Sequence, residues 1–308
     1  MNKIIIGIDV GGTNTKCGLV DRRGQVLARA RVDTRKYISK KSLLFSAIVD
    51  TVESLVRKSP GGRADILGVG MGLPGLIDTE NGVVKILPNI PGWRNVPLKR
   101  MMEDKLGLPV RIENDVNLIT LGEWKYGAGI GCRNLVCMTL GTGVGSGLIL
   151  DNRLYRGEGF AAGEIGHMPL GRKGPSCNCG GYACFERYVG NAVLLKNARK
   201  LFRDKTMTLE QVSCLASRKD RKALAFWRET AVMIGDALTG VVNLLNPKMI
   251  IIGGGVANAH RFLFKTISDT IRARAMTVQG AMFKIKRAQL GDDAGLLGAR
   301  VLVDNPDF

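Results

Sequence analysis

A short apolar run that enters a glycine-rich turn and comes straight back occurs twice in this chain, and that repetition constrains its fold more than any other feature. The first copy runs from Ile4 to Asp9, turns through Val10-Gly11-Gly12-Thr13-Asn14-Thr15, and returns through Lys16 to Val20. The second runs from Leu135 to Leu140, turns through Gly141-Thr142-Gly143-Val144-Gly145-Ser146, and leaves through Gly147 to Leu150 and Asp151. Apolar runs of this length bounded by glycine read as buried strands, so each copy is a hairpin. Two such hairpins point to a diverged duplication. Glycine makes up 40 of 308 residues, yet no Gly-X-Y period or low-complexity tract accounts for it, so the glycines serve particular turns. Collagen-like, disordered and coiled-coil chains are excluded by the same composition.

Between and after the hairpins, strand and helix patterns alternate. Leu43, Leu44, Ala47, Ile48, Thr51, Val52 and Leu55 recur at helical spacing within Ser42 to Lys58. Ile66 to Leu73 reads as a strand into the turn Pro74-Gly75, and Val110 to Glu113 as a strand ending at Asn114-Asp115, with a helix following from Val116 to Tyr126. Asn191 to Leu245 is helix-rich, and Met249 to Ile252 is a strand entering Gly253-Gly254-Gly255. This alternation predicts an α/β architecture with a mixed sheet in each half. The length suits two domains: residues 1–115 as a small N-terminal domain, and residues 116–293 as a larger one. The final helix, from about residue 294, is expected to return to the first domain, as chain ends often do. No apolar run approaches the roughly 18 residues of a membrane span, and the start is too short for a signal peptide. Seven cysteines in a chain this large do not imply a disulfide framework. A cytoplasmic location is expected.

Three groups of residues carry chemistry. Asp9 to Lys16 lacks the spacing of a P-loop and joins strand to strand, which argues against a Walker site. Glycines at such a tip let backbone N–H groups approach an anion, with a hydroxyl of Thr13 or Thr15 as a further donor; the plain alternative is a tight turn that needs positive φ. Together with Gly253-Gly254-Gly255, the two tips make three glycine turns, each after an apolar strand, that could cradle a nucleoside triphosphate between two domains. Asp115, at a strand end and helix start, is in the first place a helix N-cap candidate; phosphoryl transfer also needs a carboxylate at such a place, to accept a proton from the attacking hydroxyl. The third group is sharper. His167, Cys177, Cys179 and Cys184 offer one nitrogen and three sulfurs, the donor set of a closed Cys₃His structural zinc site, against the alternative of core thiols beside a satisfied histidine. A closed site orders its loop and leaves no position for substrate. Glu164 and Glu186 bracket it and could face a ligand.

In this order the motifs resemble the ROK family of sugar kinases, repressors and open reading frames. The likeness runs from Asp9-Val10-Gly11-Gly12-Thr13 through Gly72-Leu73-Pro74-Gly75, Glu113-Asn114-Asp115-Val116-Asn117 and Leu140 to Gly147. It continues through Gly163 to His167 and the cysteine loop to Gly253-Gly254-Gly255-Val256 and Asp293-Ala294-Gly295-Leu296, nearly the whole chain. The resemblance implies a duplicated actin-like, ribonuclease-H-like ATPase fold, with ATP and sugar meeting in a cleft between two domains. It implies Asp115 as general base for the sugar 6-hydroxyl. Gly75, Asn114, Glu164, His167 and Glu186 would be the remaining sugar contacts, with His167 serving zinc and substrate alike. Asp9, Gly11, Gly12, Thr13, Thr15, Lys16, Thr142, Gly143, Gly254 and Gly255 would surround the nucleotide, and Mg²⁺ would accompany ATP. Two positions depart from the family pattern. Ala183 stands where the last glycine of the cysteine loop is usual, which would strain a residue held at positive φ, and Gly190 stands where serine is frequent.

Other functions compete with an ATP-dependent hexose kinase. The repressor branch carries a helix-turn-helix module ahead of the first glycine motif, and only eight residues precede Asp9, so nucleic acid is not expected as a partner. A balance of 45 Lys and Arg against 27 Asp and Glu, net +18, nevertheless draws attention to the basic run Lys196, Arg199, Lys200, Arg203 and Lys205, joined by Arg218, Lys219, Arg221 and Lys222. A solvated helix face accounts for it more simply. Polyphosphate is a conceivable donor, although relatives that use it generally lack the cysteine loop, and a sugar sensor without catalysis is the remaining alternative. Glucose is the favoured substrate; N-acetylmannosamine, N-acetylglucosamine, allose and fructose could share the same polar groups. A homodimer is expected.

Overall fold

The computed structural model describes residues 3–37, 40–88 and 90–305, the side chain of residue 260 aside. The chain begins with β1 (Ile4–Val10), β2 (Asn14–Val20), β3 (Val26–Asp33), α1 (Lys41–Lys58) and β4 (Ile66–Leu73). A small antiparallel sheet follows, of β5 (Leu76–Asp78), β6 (Val83–Ile86) and β7 (Arg94–Val96), then α2 (Leu98–Leu106), β8 (Val110–Asn114) and α3 (Asp115–Tyr126). The second half brings β9 (Leu135–Leu140), β10 (Val144–Leu150), β11 (Arg153–Tyr155), α4 (Glu186–Val189), α5 (Asn191–Phe202), α6 (Leu209–Ser217) and α7 (Arg221–Leu245). It closes with β12 (Met249–Gly253), α8 (His260–Arg274), α9 (Thr277–Met282), β13 (Lys284–Arg287) and α10 (Ala294–Asp304).

The duplication is explicit in the sheets. The first has the order β3-β2-β1-β4-β8 and the second β11-β10-β9-β12-β13, the same arrangement of an antiparallel hairpin and two further strands. In the first, β1 pairs antiparallel with β2 and parallel with β4, which pairs parallel with β8. In the second, β12 lies parallel to both β9 and β13. This is the mixed sheet in each half that the sequence predicts.

Period-two alternation within the first sheet decides what covers it. Ile4, Ile6, Ile8 and Val10 of β1 and Val69, Met71 and Leu73 of β4 share a core with Leu44, Ile48, Val52 and Leu55 of α1. Between them the same strands carry glycine. A Cβ on Gly7 would lie 2.9 Å from the Leu296 carbonyl oxygen, and one on Gly70 2.7 Å from that of Ala299, so this glycine face admits the backbone of α10 directly. Every residue of α10 from Ala294 to Leu302 is buried, including Arg300, which donates to the Lys3 carbonyl oxygen at 2.8 Å and grips Asp304. A helix buried all round belongs inside a core. On its other side α10 meets α3 with no side chain between them: a Cβ on Gly122 would stand 2.3 Å from the Ala294 carbonyl oxygen.

By packing, the chain divides into two compact units. One comprises Met1–Gly131, Gly147–Ala162 and Gln289–Phe308, and the other Cys132–Ser146 and Gly163–Ala288. The boundary expected after residue 115 is therefore displaced. Helix α3 packs on α10 at Gly122 and lies in the first unit. In the second unit, α7 packs against α8 and on α6, and β12 is wholly buried between its parallel neighbours.

Candidate active site

Within the first unit, the β1–β2 tip and the end of β8 carry the chemistry. Gly11 N–H donates to the Asn14 carbonyl oxygen at 3.0 Å and closes the tip, leaving Gly12 and Thr13 exposed. Neither tip glycine adopts positive φ, but a Cβ on Gly11 would lie 2.9 Å from the Asn14 carbonyl oxygen, so the tight turn itself accounts for Gly11 and not for Gly12. A Cβ on Gly12 would meet nothing within 4 Å. The Gly12 backbone is thus open to solvent, as approach by an anion would require. Asp9 of β1, paired in register with Lys16 of β2, has its carboxyl pushed above the usual range by burial, with Lys16 opposing the shift. Its carboxylate packs on the start of α10, where a Cβ on Gly295 would lie 2.9 Å from Asp9 Cγ. Lys16 Nζ reaches Asp292 Oδ1 at 2.9 Å, and that hydrogen bond holds Asp292 below the usual carboxylate range. Thr15 departs from its expected place among the nucleotide donors: its hydroxyl is fully buried, 3.0 Å from that of Thr34. Its alternation with Cys17 and Leu19 on the core face of β2 is the sequence signal for that inward position.

At the end of β8 the structure separates two readings of Asp115. The helix N-cap is Asn114, whose Oδ1 accepts from Val116 N–H at 2.9 Å and Asn117 N–H at 3.1 Å. Asn114 Nδ2 donates to the Gly75 carbonyl oxygen at 3.1 Å, which ties the cap to the turn after β4. Gly75 holds φ of 135°, and a Cβ there would fall 2.2 Å from the Ile86 carbonyl oxygen, so only glycine fits. Asp115 is thus the first helical residue, half-buried, its carboxylate fixed at the positive end of α3.

Within the second unit, Gly141 repeats the argument made for Gly12: a Cβ there would meet nothing within 4 Å and φ is not positive. The same holds for Gly255. Gly254 is different, with φ of 83° and the Leu140 carbonyl oxygen 2.3 Å from where a Cβ would be, so it seats the turn after β12 against the end of β9. Thr142 lies exposed on the loop between β9 and β10. Glu186, at the start of α4, braces that loop: its Oε2 accepts from Val144 N–H at 2.8 Å and leaves no room for a side chain on Gly143. Gly163 and Gly166 thread past β10, with Ser146 Oγ on the Gly163 carbonyl oxygen, and bring Glu164 and His167 together, Glu164 Oε2 to His167 Nε2 at 3.8 Å.

His167, Cys177, Cys179 and Cys184 converge. Their ligand atoms all lie within 4.8 Å of one another. Cys179 and Cys184 sulfurs are 3.6 Å apart, and Cys177 Sγ is 3.7 Å from His167 Nδ1. Tetrahedral zinc with Zn–S of about 2.3 Å and Zn–N of about 2.0 Å sets its donors roughly 3.6–3.8 Å apart, so the group fits the ion and would use Nδ1, leaving Nε2 towards Glu164. Gly181 N–H holds the Cys179 thiol below its usual range, in the direction that favours a thiolate ligand. Ala183 does take positive φ, 54°, while fully buried. Its methyl faces Gly174, where a Cβ would come within 2.7 Å of it.

The chain matches the ROK family over residues 5–305. It belongs to the ROK family. Among its relatives, this ROK protein is 34% identical to a glucokinase of Halalkalibacterium halodurans, covering 97% of this chain and 94% of that one. It is 32% identical to a xylose repressor of Caldicellulosiruptor bescii over 97% of this chain and 77% of the repressor. Among solved structures it superposes with TM-score 0.80 on a ROK family glucokinase from Streptomyces griseus in complex with glucose and AMPPNP, at 32% identity, over 97% of this chain and 98% of that chain. The fold is accordingly the duplicated actin-like ATPase fold. No helix among the described residues is long and apolar enough to cross a membrane.

Proposed function

We propose that this ROK protein is an ATP-dependent hexose kinase acting on the sugar 6-hydroxyl, with glucose its preferred substrate and the cytoplasmic Mg-ATP pool its donor. The observation that carries the reading is the placement of Asp115, a carboxylate whose Oδ1 accepts from the Val116 N–H at 2.9 Å, at the start of α3 beside an asparagine anchored on Gly75. In the first unit, Asp115 accepts the proton of the 6-hydroxyl as its oxygen bonds to the γ-phosphorus and the bond to the ADP oxygen breaks. Gly12 N–H and its neighbours face the phosphates, and Mg²⁺ bound with ATP would neutralise part of their charge. In the second unit, the loops carrying Gly141, Thr142, Gly143 and Gly254-Gly255 receive the nucleotide, and Glu164, His167 and Glu186 bind sugar hydroxyls. Zinc held by His167 Nδ1, Cys177, Cys179 and Cys184 would supply a fixed loop and a fixed His167 ring.

The test is ADP release with Mg-ATP across glucose, N-acetylmannosamine, N-acetylglucosamine, allose and fructose. The expected outcome is turnover with glucose foremost, and a drop of about 10²–10⁴-fold in kcat for Asp115→Ala with folding retained. Turnover by Asp115→Ala near that of the wild type would remove it from the base role. Cys177→Ala is expected to lose stoichiometric zinc, measured by metal analysis of the purified protein. The xylose repressor relative favours a second reading, a sugar-responsive protein without catalysis. Sugar binding by calorimetry with no ADP release from the zinc-loaded protein would select it.

A further inference from the structure

Directly beneath Asn114-Asp115 lies a buried ion pair with no place in the proposed reaction. Glu113, the residue before the cap, has a side chain only 2% exposed. Its Oε1 accepts from the Asn114 N–H at 2.8 Å and from Asn117 Nδ2 at 2.9 Å, and its Oε2 accepts from Arg156 Nε at 2.7 Å. Arg156 Nη2 stands 2.7 Å from the same oxygen, near enough to pair charge but turned off the hydrogen-bond line. With its oxygens turned to these inward donors, Glu113 is a node and not a base. Of its two amide partners, one is the backbone of Asn114 and the other belongs to the first turn of α3, so the carboxylate sets both ends of the Asp115 turn. β4 places uncharged Gly72 opposite Glu113, and Arg156 supplies a charge that compensates it.

Arg156 is itself placed at a junction. It follows β11, its carbonyl oxygen accepts from Ala162 N–H at 2.8 Å, and Gly157 turns the chain at φ of 70°. One residue therefore closes the 157–162 loop with its backbone and holds the floor of the Asp115 turn with its side chain. Burying a carboxylate without a counter-charge is costly, whereas burying the pair or replacing both members is tolerated.

We infer that Arg156 is a positioning residue for the reaction: by compensating Glu113 it fixes the Asn114-Asp115 turn and links that turn to the loop leading into Glu164 and His167. The inference rests on the base role proposed for Asp115, and its test separates the two. In Arg156→Met, kcat with glucose and Mg-ATP is expected to fall by about 30–100-fold while KM for ATP stays within about threefold, and amide exchange across residues 113–117 is expected to quicken by at least about tenfold. Arg156→Lys, which keeps the charge, should retain kcat within about tenfold. The double variant Arg156→Met with Glu113→Gln, in which no charge is stranded, should recover about tenfold of the lost kcat and most of the lost thermal stability. A double variant no better than Arg156→Met, or an Arg156→Met enzyme with wild-type kcat and wild-type exchange at 113–117, would overturn the proposal. Asp115→Ala run alongside judges the base role alone. If it keeps turnover while Arg156→Met loosens residues 113–117, the positioning of the turn stands and the reaction assigned to it does not.

Discussion

At the scale of single residues, glycines in this protein are retained for opposite reasons, and the difference predicts opposite mutant behaviour. Gly75 and Gly254 are demanded by positive φ and a carbonyl oxygen at the site of a Cβ. Gly12, Gly141 and Gly255 are demanded by nothing in the chain. Gly12→Ala is therefore expected to leave the melting temperature within about 1 °C while raising KM for ATP by about tenfold or more, the cost of disturbing a hydrogen bond to a charged group. A destabilised Gly12→Ala protein with an unchanged KM would mean that the tip serves the fold and not a ligand. Much at this scale was legible in sequence. The donor types and spacing of His167, Cys177, Cys179 and Cys184 sufficed to group them, because a metal loop is a local object. Ala183 stands at a glycine-like position of the cysteine loop, where positive φ strains an alanine, and it holds 54°. The Glu113–Arg156 pair and the Lys16–Asp292 bridge were not legible, since each joins residues far apart in sequence and neither charge pattern marks its partner.

At the scale of elements, apolar periodicity located most of the strands and helices, and the repeated glycine hairpin announced the repeated sheet order. What periodicity could not show is which helix covers which sheet. The sequence places α3 in the second domain, yet it is held to α10 by backbone approaches that leave no side-chain signature beyond small residues at Gly122 and Gly298. A Cβ on Gly298 would stand 1.8 Å from the Leu118 carbonyl oxygen. Gly298→Ala is expected to destabilise the protein by about 3 kcal/mol or more, since backbone at both sides of the contact has little room to shift. Chemical denaturation would register this as a lower midpoint at unchanged slope. A midpoint equal to that of the wild type would show that α3 and α10 can separate without penalty.

At the scale of the whole molecule, the net +18 is unevenly spread. The second unit, as divided above, contains 22 Lys and Arg against 8 Asp and Glu, whereas the first contains 23 against 19. From Lys196 to Arg228 none of the cations makes an ion pair among the described residues, and Asp220 in that stretch caps α7 instead. Self-repulsion of this kind weakens the compact state and is screened by salt. Raising NaCl from about 0.05 to 0.5 M is accordingly expected to stabilise the protein by about 1 kcal/mol, read as a rise of roughly 2–4 °C in Tm. A Tm that falls with salt would indicate that its ion pairs outweigh the excess.

The buried helix α10 also sets a timetable for biosynthesis. A nascent chain leaves the ribosome from its N-terminus, so the strands carrying Gly7 and Gly70 emerge early, yet the helix that must lie on them is encoded from Ala294 onward. The other compact unit needs nothing beyond Ala288. The unit that starts second is thus the first able to finish, and the first-made sheet must wait with one face bare until Ala294–Asp304 has been made.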